Sequence, residues 1–184
     1  EGTSLWLLNR PEETIGRLTR VRDRLLTQPD SHLLAECSIQ LSAAHSILGD
    51  FKTARQFALD GLVSARRSGN KAIEGIALEN YAFVERSFCR WAEAAEATEA
   101  SLRIHEASGN QKQLNHTRHG LAILHWRRGR LESALQLSDT CIARGGASEN
   151  PTALSFTKLM KAVILIHQGQ WATVNKMSRI NSKN

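Results

Sequence analysis

The sequence lacks any long apolar stretch. Its longest uninterrupted apolar run, Ala162–Ile166, has five residues, whereas a transmembrane helix needs about 20. The first residues also lack the basic-then-apolar order of a secretion signal. The sequence therefore predicts neither a membrane-spanning helix nor a signal peptide.

Cysteine is scarce as well. Cys37, Cys89 and Cys141 are spaced 52 residues apart, so no two of them form a close pair. This spacing is typical of neither a disulfide framework nor a zinc knuckle. We therefore expect reduced thiols and a cytoplasmic location.

The sequence also lacks strand signals, and its last 35 residues lack acidic residues. β-Branched residues are scattered, and no hairpin dipeptide separates alternating runs, so strands are not predicted. Residues 150–184 contain no Asp or Glu but five Lys or Arg residues, and the whole chain has a net charge of +6. A basic end of this kind could meet an acidic protein or a nucleic acid.

One signal recurs every forty residues. A short break followed by a large apolar residue occurs at Gly49-Asp50-Phe51, Cys89-Arg90-Trp91, Gly129-Arg130-Leu131 and Gly169-Gln170-Trp171. The same interval separates four residues that make good helix N-caps, namely Asp30, Asn70, Asn110 and Asn150. Helix ends are predicted at Ser68-Gly69 and Ser108-Gly109. Each period therefore predicts a pair of helices, and the fold is predicted to be all-α.

A single helix pair cannot bury both of its apolar faces, so the repeats must stack. We predict one helical-repeat domain over residues 1–184. It comprises a partial repeat at 1–29, full repeats at 30–69, 70–109 and 110–149, and a truncated repeat at 150–184. Both ends fall inside a repeat, at Gly2 and Asn181, so we expect a fragment of a larger protein.

Small residues recur at matching places in both helices of each pair. They are Ser42, Ala82, Ala122 and Ala162 in the first helix, and Ala54, Ala94 and Ala134 in the second. With the turns and their large apolar residues, this pattern resembles the tetratricopeptide repeat, or TPR. The period of forty exceeds the family's usual thirty-four, and Cys89-Arg90 replaces a Gly-Asp turn. The longer period is similar to that of bacterial multidomain signalling and transcription regulators.

The resemblance implies a right-handed solenoid of antiparallel helix pairs, with about four repeats and a partial N-terminal one. It also implies that the first helix of each pair lines a concave face that binds a partner. The residues we expect to bind there are Glu36, Ile39, Glu79, Phe83, Arg86, His116, His119, Ile123, Trp126, Arg127 and His167. Ala43, Ile47, Ile76, Phe156, Leu159 and Val163 share this face.

Aromatic residues on these helices admit two interpretations. Phe83, Trp126 and Phe156 would anchor a bound peptide or helix, because aromatic and arginine side chains dominate binding energy. Alternatively, Phe83 or Phe156 packs against the next repeat. Trp91 and Trp171 are predicted to plug the core near the turns, and Tyr81 is predicted to pack between helices.

The sequence carries no recognisable catalytic motif. Phosphate-binding glycine loops and the serine nucleophile elbow are missing. His116, His119 and His167 are the best metal candidate, but no cysteine or carboxylate accompanies them, so we predict no metal and no cofactor. We therefore predict a non-catalytic module that binds a peptide, a protein segment or an adjacent domain.

An alternative function uses basic side chains at the turns. Arg127, Arg128 and Arg130 share one turn, and Arg10 and Arg90 occupy equivalent turns, so a basic edge could bind the phosphates of a nucleic acid. Three glutamates, Glu93, Glu96 and Glu99, are instead predicted to face water. An ion pair between Glu99 and Arg103 is also expected, worth about 0.3 kcal/mol.

Overall fold

The computed structural model describes residues 10–27, 31–144 and 151–175, and all regular secondary structure in these ranges is helical. The helices are α1 Pro11–Thr27, α2 Ser31–Ile47, α3 Phe51–Ser68, α4 Lys71–Ser87, α5 Trp91–Ser108, α6 Gln111–Arg127, α7 Leu131–Arg144 and α8 Pro151–His167. A further helical segment begins at Trp171 and is described as far as Asn175. The first helix of a pair thus begins every forty residues, which confirms the predicted period and the all-α fold.

The predicted helix caps are confirmed in the part of the chain that the structure describes. The Asn70 side chain accepts hydrogen bonds from the backbone N–H groups of the first turn of α4, and Asn110 accepts one at the start of α6. Gly69 and Gly109 adopt φ values of 69° and 67° after α3 and α5. Glycine suits these positions because left-handed backbone carries a steric cost for side chains with a Cβ. The predicted caps Asp30 and Asn150 lie outside the described residues.

The turn between α4 and α5 departs from the other turns within helix pairs. Gly49, Gly129 and Gly169 have positive φ, and Cys89 adopts φ 57° at the equivalent place. Asp50 caps α3 through its side chain, whereas Arg90 before α5 makes no side-chain cap hydrogen bond. This turn therefore combines two locally unfavourable residues, which implies that tertiary contacts stabilise it.

The chain divides into two compact units, residues 1–109 and 110–184. In the first unit each helix from α1 to α5 packs against the next, and α2 also packs against α4. Its main core cluster includes Ala35, Leu62, Ile73 and Leu78. Tyr81 packs partly buried against this cluster, which confirms its predicted place between helices. The predicted single domain over the whole chain stays a prediction.

In the second unit α6 packs against α7, α7 against α8, and α6 against α8. Its core cluster joins Ala122 and Ala134 to Met160 and Ile164. Ala122 and Ala134 are fully buried small residues on paired helices, so the two helices approach closely, as predicted. Lys161, which stands where the repeat pattern has a large apolar residue, forms an ion pair with Asp139 on α7.

One packing prediction is wrong. Trp171 was expected to plug the core, but its side chain is 60% exposed. Ala162 and Val174, which follow Ala122 and Ala134 by forty residues, are also only partly buried. Because no further helix packs over Trp171 within the described residues, the ring stays in contact with water. Trp91 is half-buried at the start of α5, in accord with its predicted role.

Three further predictions lie outside the described residues. They concern the positions of Gly2 and Asn181 and the side chain of Phe156. Among the described helices, none combines the length and the hydropathy that crossing a bilayer requires.

Candidate interaction surface

The first helix of the second repeat, α4, presents one polar and aromatic stripe. Ile76, Glu79, Phe83 and Arg86 follow each other at intervals of three and four residues, so they share a face of the helix. The residues on the opposite side of α4 are buried in the core of the first unit. Packing on that side leaves Phe83 on the exposed face of α4, whereas Ile76, Glu79 and Arg86 are half-buried beside it.

Phe83 is the exposed aromatic of this stripe. Its side chain is 46% exposed, and the guanidinium of Arg86 lies 5.5 Å from its ring centroid. Such cation–π contact is worth about 0.5–1 kcal/mol at an exposed site, so it holds the two side chains together. Burial lowers the pKa of Arg86 from its usual value, and the nearby Glu79 carboxylate opposes that shift. The stripe thus carries a cation and an apolar ring side by side.

Glu79 contacts the core rather than standing free on the surface. Its carboxylate Oε1 lies 3.5 Å from Nε2 of His105, a residue of α5 that is almost fully buried. His105 in turn lies against Gly75, where a Cβ atom would be only 2.6 Å from the imidazole Cε1. The absence of a side chain at Gly75 therefore makes room for the histidine beneath the stripe.

The first helix of the first repeat, α2, adds weaker features. Glu36 is exposed, and its carboxylate lies 3.9 Å from Nε2 of His32. Ile39 is only half-buried and packs against the core cluster of this unit. Ile47 near the end of α2 is 45% exposed. Of the residues predicted on α2, Glu36 is thus available to a partner, whereas Ile39 serves mainly packing.

In the second unit, the predicted apolar residues on α6 are engaged in packing. Ile123 and Trp126 are partly buried against the core cluster of that unit. The guanidinium of Arg127 lies 4.9 Å from the Trp126 ring centroid, and Arg127 itself is exposed. Trp126 therefore packs against the core and also makes a cation–π contact with Arg127.

The three histidines of the predicted surface do not form a metal centre in the structure's described residues. His116 and His167 are exposed, while Nδ1 of His119 lies 2.8 Å from the hydroxyl oxygen of Thr157 on α8. No group of three or more His, Cys, Asp or Glu side chains that could hold a metal ion occurs in the described ranges. The hydroxyl of Thr157 thus gives His119 a role in joining two helices.

Sequence reasoning missed two exposed apolar residues that follow the first helices α2 and α4. Leu48 and Phe88 are 44% and 39% exposed just before the turns, and the guanidinium of Arg90 lies 5.7 Å from the Phe88 ring centroid. The sequence did contain a signal. The equivalent positions in the later repeats are the polar Arg128 and Gln168, which indicates that this position of the repeat faces water.

A buried carboxylate holds the unusual turn after α4. Glu85 is fully buried, and its Oε1 accepts a hydrogen bond from Nε of Arg55 on α3 at 2.6 Å. Its other oxygen lies 3.5 Å from the guanidinium of Arg90 in the turn. Glu85 therefore ties Arg90 to the body of the first unit, close to Phe83 and Phe88 in the sequence.

No family model matches the chain, and a search of curated proteins finds no match. Solved structures do match it. The TPR-like repeats of a kinesin light chain from Podosopora anserina align with a TM-score of 0.76 at 13% identity, covering 98% of this chain and 90% of that one. The apo form of RapI aligns with a TM-score of 0.81 at 15% identity, covering 92% of this chain and 63% of that one.

A third solved structure is a signal transduction ATPase with numerous domains, or STAND protein, with a tetratricopeptide repeat sensor, from Pyrococcus horikoshii. It aligns with a TM-score of 0.76 at 13% identity, covering 95% of this chain but 27% of that one. At these identities the likeness concerns the fold alone. Together with the helix pairs repeating every forty residues, it shows that this chain is a TPR-like helical repeat.

Proposed function

We propose that this chain is a non-catalytic interaction or sensing module of a bacterial signalling or transcriptional regulator. It binds a peptide, a protein segment or a neighbouring domain along the exposed face of its first helices. The observation that carries the proposal is the pairing of Phe83 with Arg86 on α4, where a large aromatic ring is 46% exposed beside a guanidinium. Aromatic and arginine side chains contribute most to binding energy at protein interfaces.

The neighbouring helix supports the same surface. Helix α2 packs directly against α4. The exposed residues Glu36 and Ile47 of α2 therefore lie on a helix adjacent to the one that carries Phe83. The unit thus offers apolar groups for anchoring together with charges of both signs, Glu36 and Arg86, for orienting a bound segment. A mixed surface of this kind suits an extended peptide or an amphipathic helix.

The similar structures support an interaction role. TPR-like solenoids generally use their extended surfaces for binding. The STAND protein carries its tetratricopeptide repeats as a sensor. This likeness in fold supports a binding or sensing role for the present chain.

Peptides selected from a random phage-displayed library on the 184-residue chain provide the test. We expect Phe83→Ala to weaken their binding by about 2 kcal/mol, or roughly thirtyfold in Kd, as for an interface hot spot. Fluorescence anisotropy of labelled peptides measures the dissociation constants. Circular dichroism checks that the variant keeps its helix content.

Val63→Ala is the matched control. Val63 has the same exposed fraction as Phe83 but lies on α3, a second helix. Selected peptides should bind this variant as they bind the unmodified chain. If Phe83→Ala leaves every selected peptide unaffected, or if both variants weaken binding equally, the proposed face is wrong.

A second candidate function is binding of nucleic acid through a basic edge. Arg127, Arg128 and Arg130 are all exposed around one turn, and the Arg127 guanidinium contacts the Trp126 ring. Binding to phosphates releases counterions, so it should weaken steeply as salt rises. Filter binding of single-stranded RNA and of duplex DNA at low salt tests it, and no retention would exclude this function.

A further inference from the structure

The first unit contains a concave surface that is separate from the stripe on α4. An open groove of about 570 Å³ lies over the N-terminal half of α4, between the C-terminal halves of α3 and α5. This volume is within the range of about 300–1,000 Å³ that is usual for small-molecule sites. Leu78 and Ile104 contribute apolar surface to the groove, whereas Phe83 and Arg86 do not line it.

The groove exists because two side chains are small. Ala100 and Ala107 line it on α5, whereas the positions forty residues earlier on α3 are Asp60 and Arg67. In that earlier repeat, Asp60 accepts a hydrogen bond of 3.0 Å from Arg22 of α1, which bridges the two second helices. Alanine at position 100 cannot form such a bridge, so space remains between α3 and α5.

The charged groups of the groove are unequal in number. Arg66, Lys71 and Arg103 line it together with a single carboxylate, Glu74. Glu74 is already paired, because Nζ of Lys71 lies 2.6 Å from one carboxylate oxygen and Nε of Arg66 lies 3.4 Å from the other. The hydrogen bond from Lys71 is the main cause that lowers the pKa of Glu74, with the charges of Lys71 and Arg66 acting in the same direction.

The guanidinium of Arg103 is the available cation. The expected pair between Glu99 and Arg103 does not form, and Arg103 has no ion-pair partner in the described part of the chain. An exposed arginine beside an apolar floor can donate two parallel hydrogen bonds to one carboxylate. The excess of positive charge therefore favours an anionic head, and the apolar floor favours a hydrocarbon tail.

We propose that this groove binds a small amphiphilic monocarboxylate. Its carboxylate pairs with Arg103, and its alkyl chain lies on Leu78 and Ile104, between Ala100 and Ala107. The site is independent of the peptide-binding face proposed above, because the two share no residue.

Titration of the ¹⁵N-labelled chain with octanoate tests the proposal by NMR. Octanoate should give saturable shifts at the amides of the groove. Octylammonium has the same tail with the opposite charge, and acetate has the same head without the tail. Each should bind at least about tenfold more weakly, because one loses the charge-assisted hydrogen bonds and the other loses the apolar contact.

Two variants with matched controls locate the site. Arg103→Gln should weaken octanoate binding by about tenfold, whereas Arg67→Gln, which removes an exposed arginine outside the groove, should not. Ala107→Phe should block the groove, whereas Ala92→Phe, at an exposed position at the other end of α5, should not. All four positions are exposed, and the ¹⁵N spectrum of each variant reports whether the fold is kept.

The outcomes that overturn the proposal are distinct. Absence of saturable shifts up to the solubility limit of octanoate would exclude the site. Equal binding of octylammonium, or unchanged octanoate affinity in Arg103→Gln, would exclude the assigned carboxylate position. Unchanged affinity in Ala107→Phe would show that octanoate binds elsewhere on the chain.

Discussion

Three glycines inside helices provide a graded test of the packing between the helices. Adding a Cβ at Gly16 in α1 would meet no atom within 4 Å, whereas at Gly61 in α3 it would lie 3.3 Å from Cγ1 of Ile39. At Gly75 in α4 it would lie 2.6 Å from Cε1 and 2.9 Å from Nε2 of His105. Alanine substitution at the three sites therefore brings the same gain in helix propensity, but it places the new methyl group in very different surroundings.

The expected free energies follow from two opposing terms. Alanine is better than glycine in a helix interior by about 0.8–1.0 kcal/mol, so Gly16→Ala should stabilise the chain by about that amount. Overpacking a core costs about 1–3 kcal/mol, and the buried imidazole of His105 has little room to move, so the cost at Gly75 should lie in the upper part of that range. After subtraction of the gain of about 1 kcal/mol in helix propensity, Gly75→Ala should destabilise the chain by about 1–2 kcal/mol net. At Gly61 the two terms should nearly cancel, because the Ile39 side chain can shift by a few tenths of an ångström.

Urea denaturation followed by circular dichroism measures the three free energies of unfolding. A double-mutant cycle gives the sharper result, because His105→Ala removes the ring that the new methyl group would meet. In that background Gly75→Ala should no longer destabilise the chain. A Gly75→Ala variant as stable as the unmodified chain, or one whose cost is the same with and without His105, would refute the packing that we describe.

Three further substitutions probe the turn after α4 and the charges of the groove. Cys89→Gly should raise the free energy of unfolding by about 1 kcal/mol, because Cys89 adopts φ 57° and a left-handed backbone costs residues with a Cβ about that much; thermal denaturation checks it, and a lower melting temperature would contradict the assignment. Glu85→Gln should lower the free energy of unfolding by about 2–3 kcal/mol, because it removes the charge that Arg55 meets at 2.6 Å inside the unit, and a loss within error of zero would show that the buried pair contributes nothing. Pairing with Lys71 lowers the pKa of Glu74 below 4.5, its usual value, so its stabilisation is present above that pH and is lost as the pH falls through the lowered pKa. The difference in stability between the unmodified chain and Glu74→Gln should therefore vanish in acid, and a difference that grows on acidification would reverse the sign of the pairing.

The caps and the repeat period could be predicted because their causes are local. Asn70 and Asn110 accept hydrogen bonds from amides two or three residues away, so their capping role can be predicted from a few neighbouring residues. The same is true of Gly69 and Gly109, whose left-handed backbone ends a helix. Periodic recurrence of such local signals was enough to predict pairs of helices forty residues apart.

The candidate surface was predictable in outline only. Helical spacing places Phe83 and Arg86 on one face of α4. Which face of the helix is exposed to solvent, however, depends on the helices that pack against the other side. The same reasoning placed Trp171 in the core, where it is exposed, and it placed Ile39 and Trp126 on the binding face, where they are partly buried in packing. A single helix pattern cannot tell these situations apart, because burial is a property of neighbouring helices.

By itself the sequence determined the helical class, the forty-residue period, the caps and the pairing of small residues between helices, since each depends on residues close together or on their repetition. Only the tertiary structure decided that Glu85 is a buried partner of Arg55, that Gly75 makes room for His105, and that a groove remains between α3 and α5. Those features depend on distances between side chains of different helices, and such distances are set by how whole helices pack against one another.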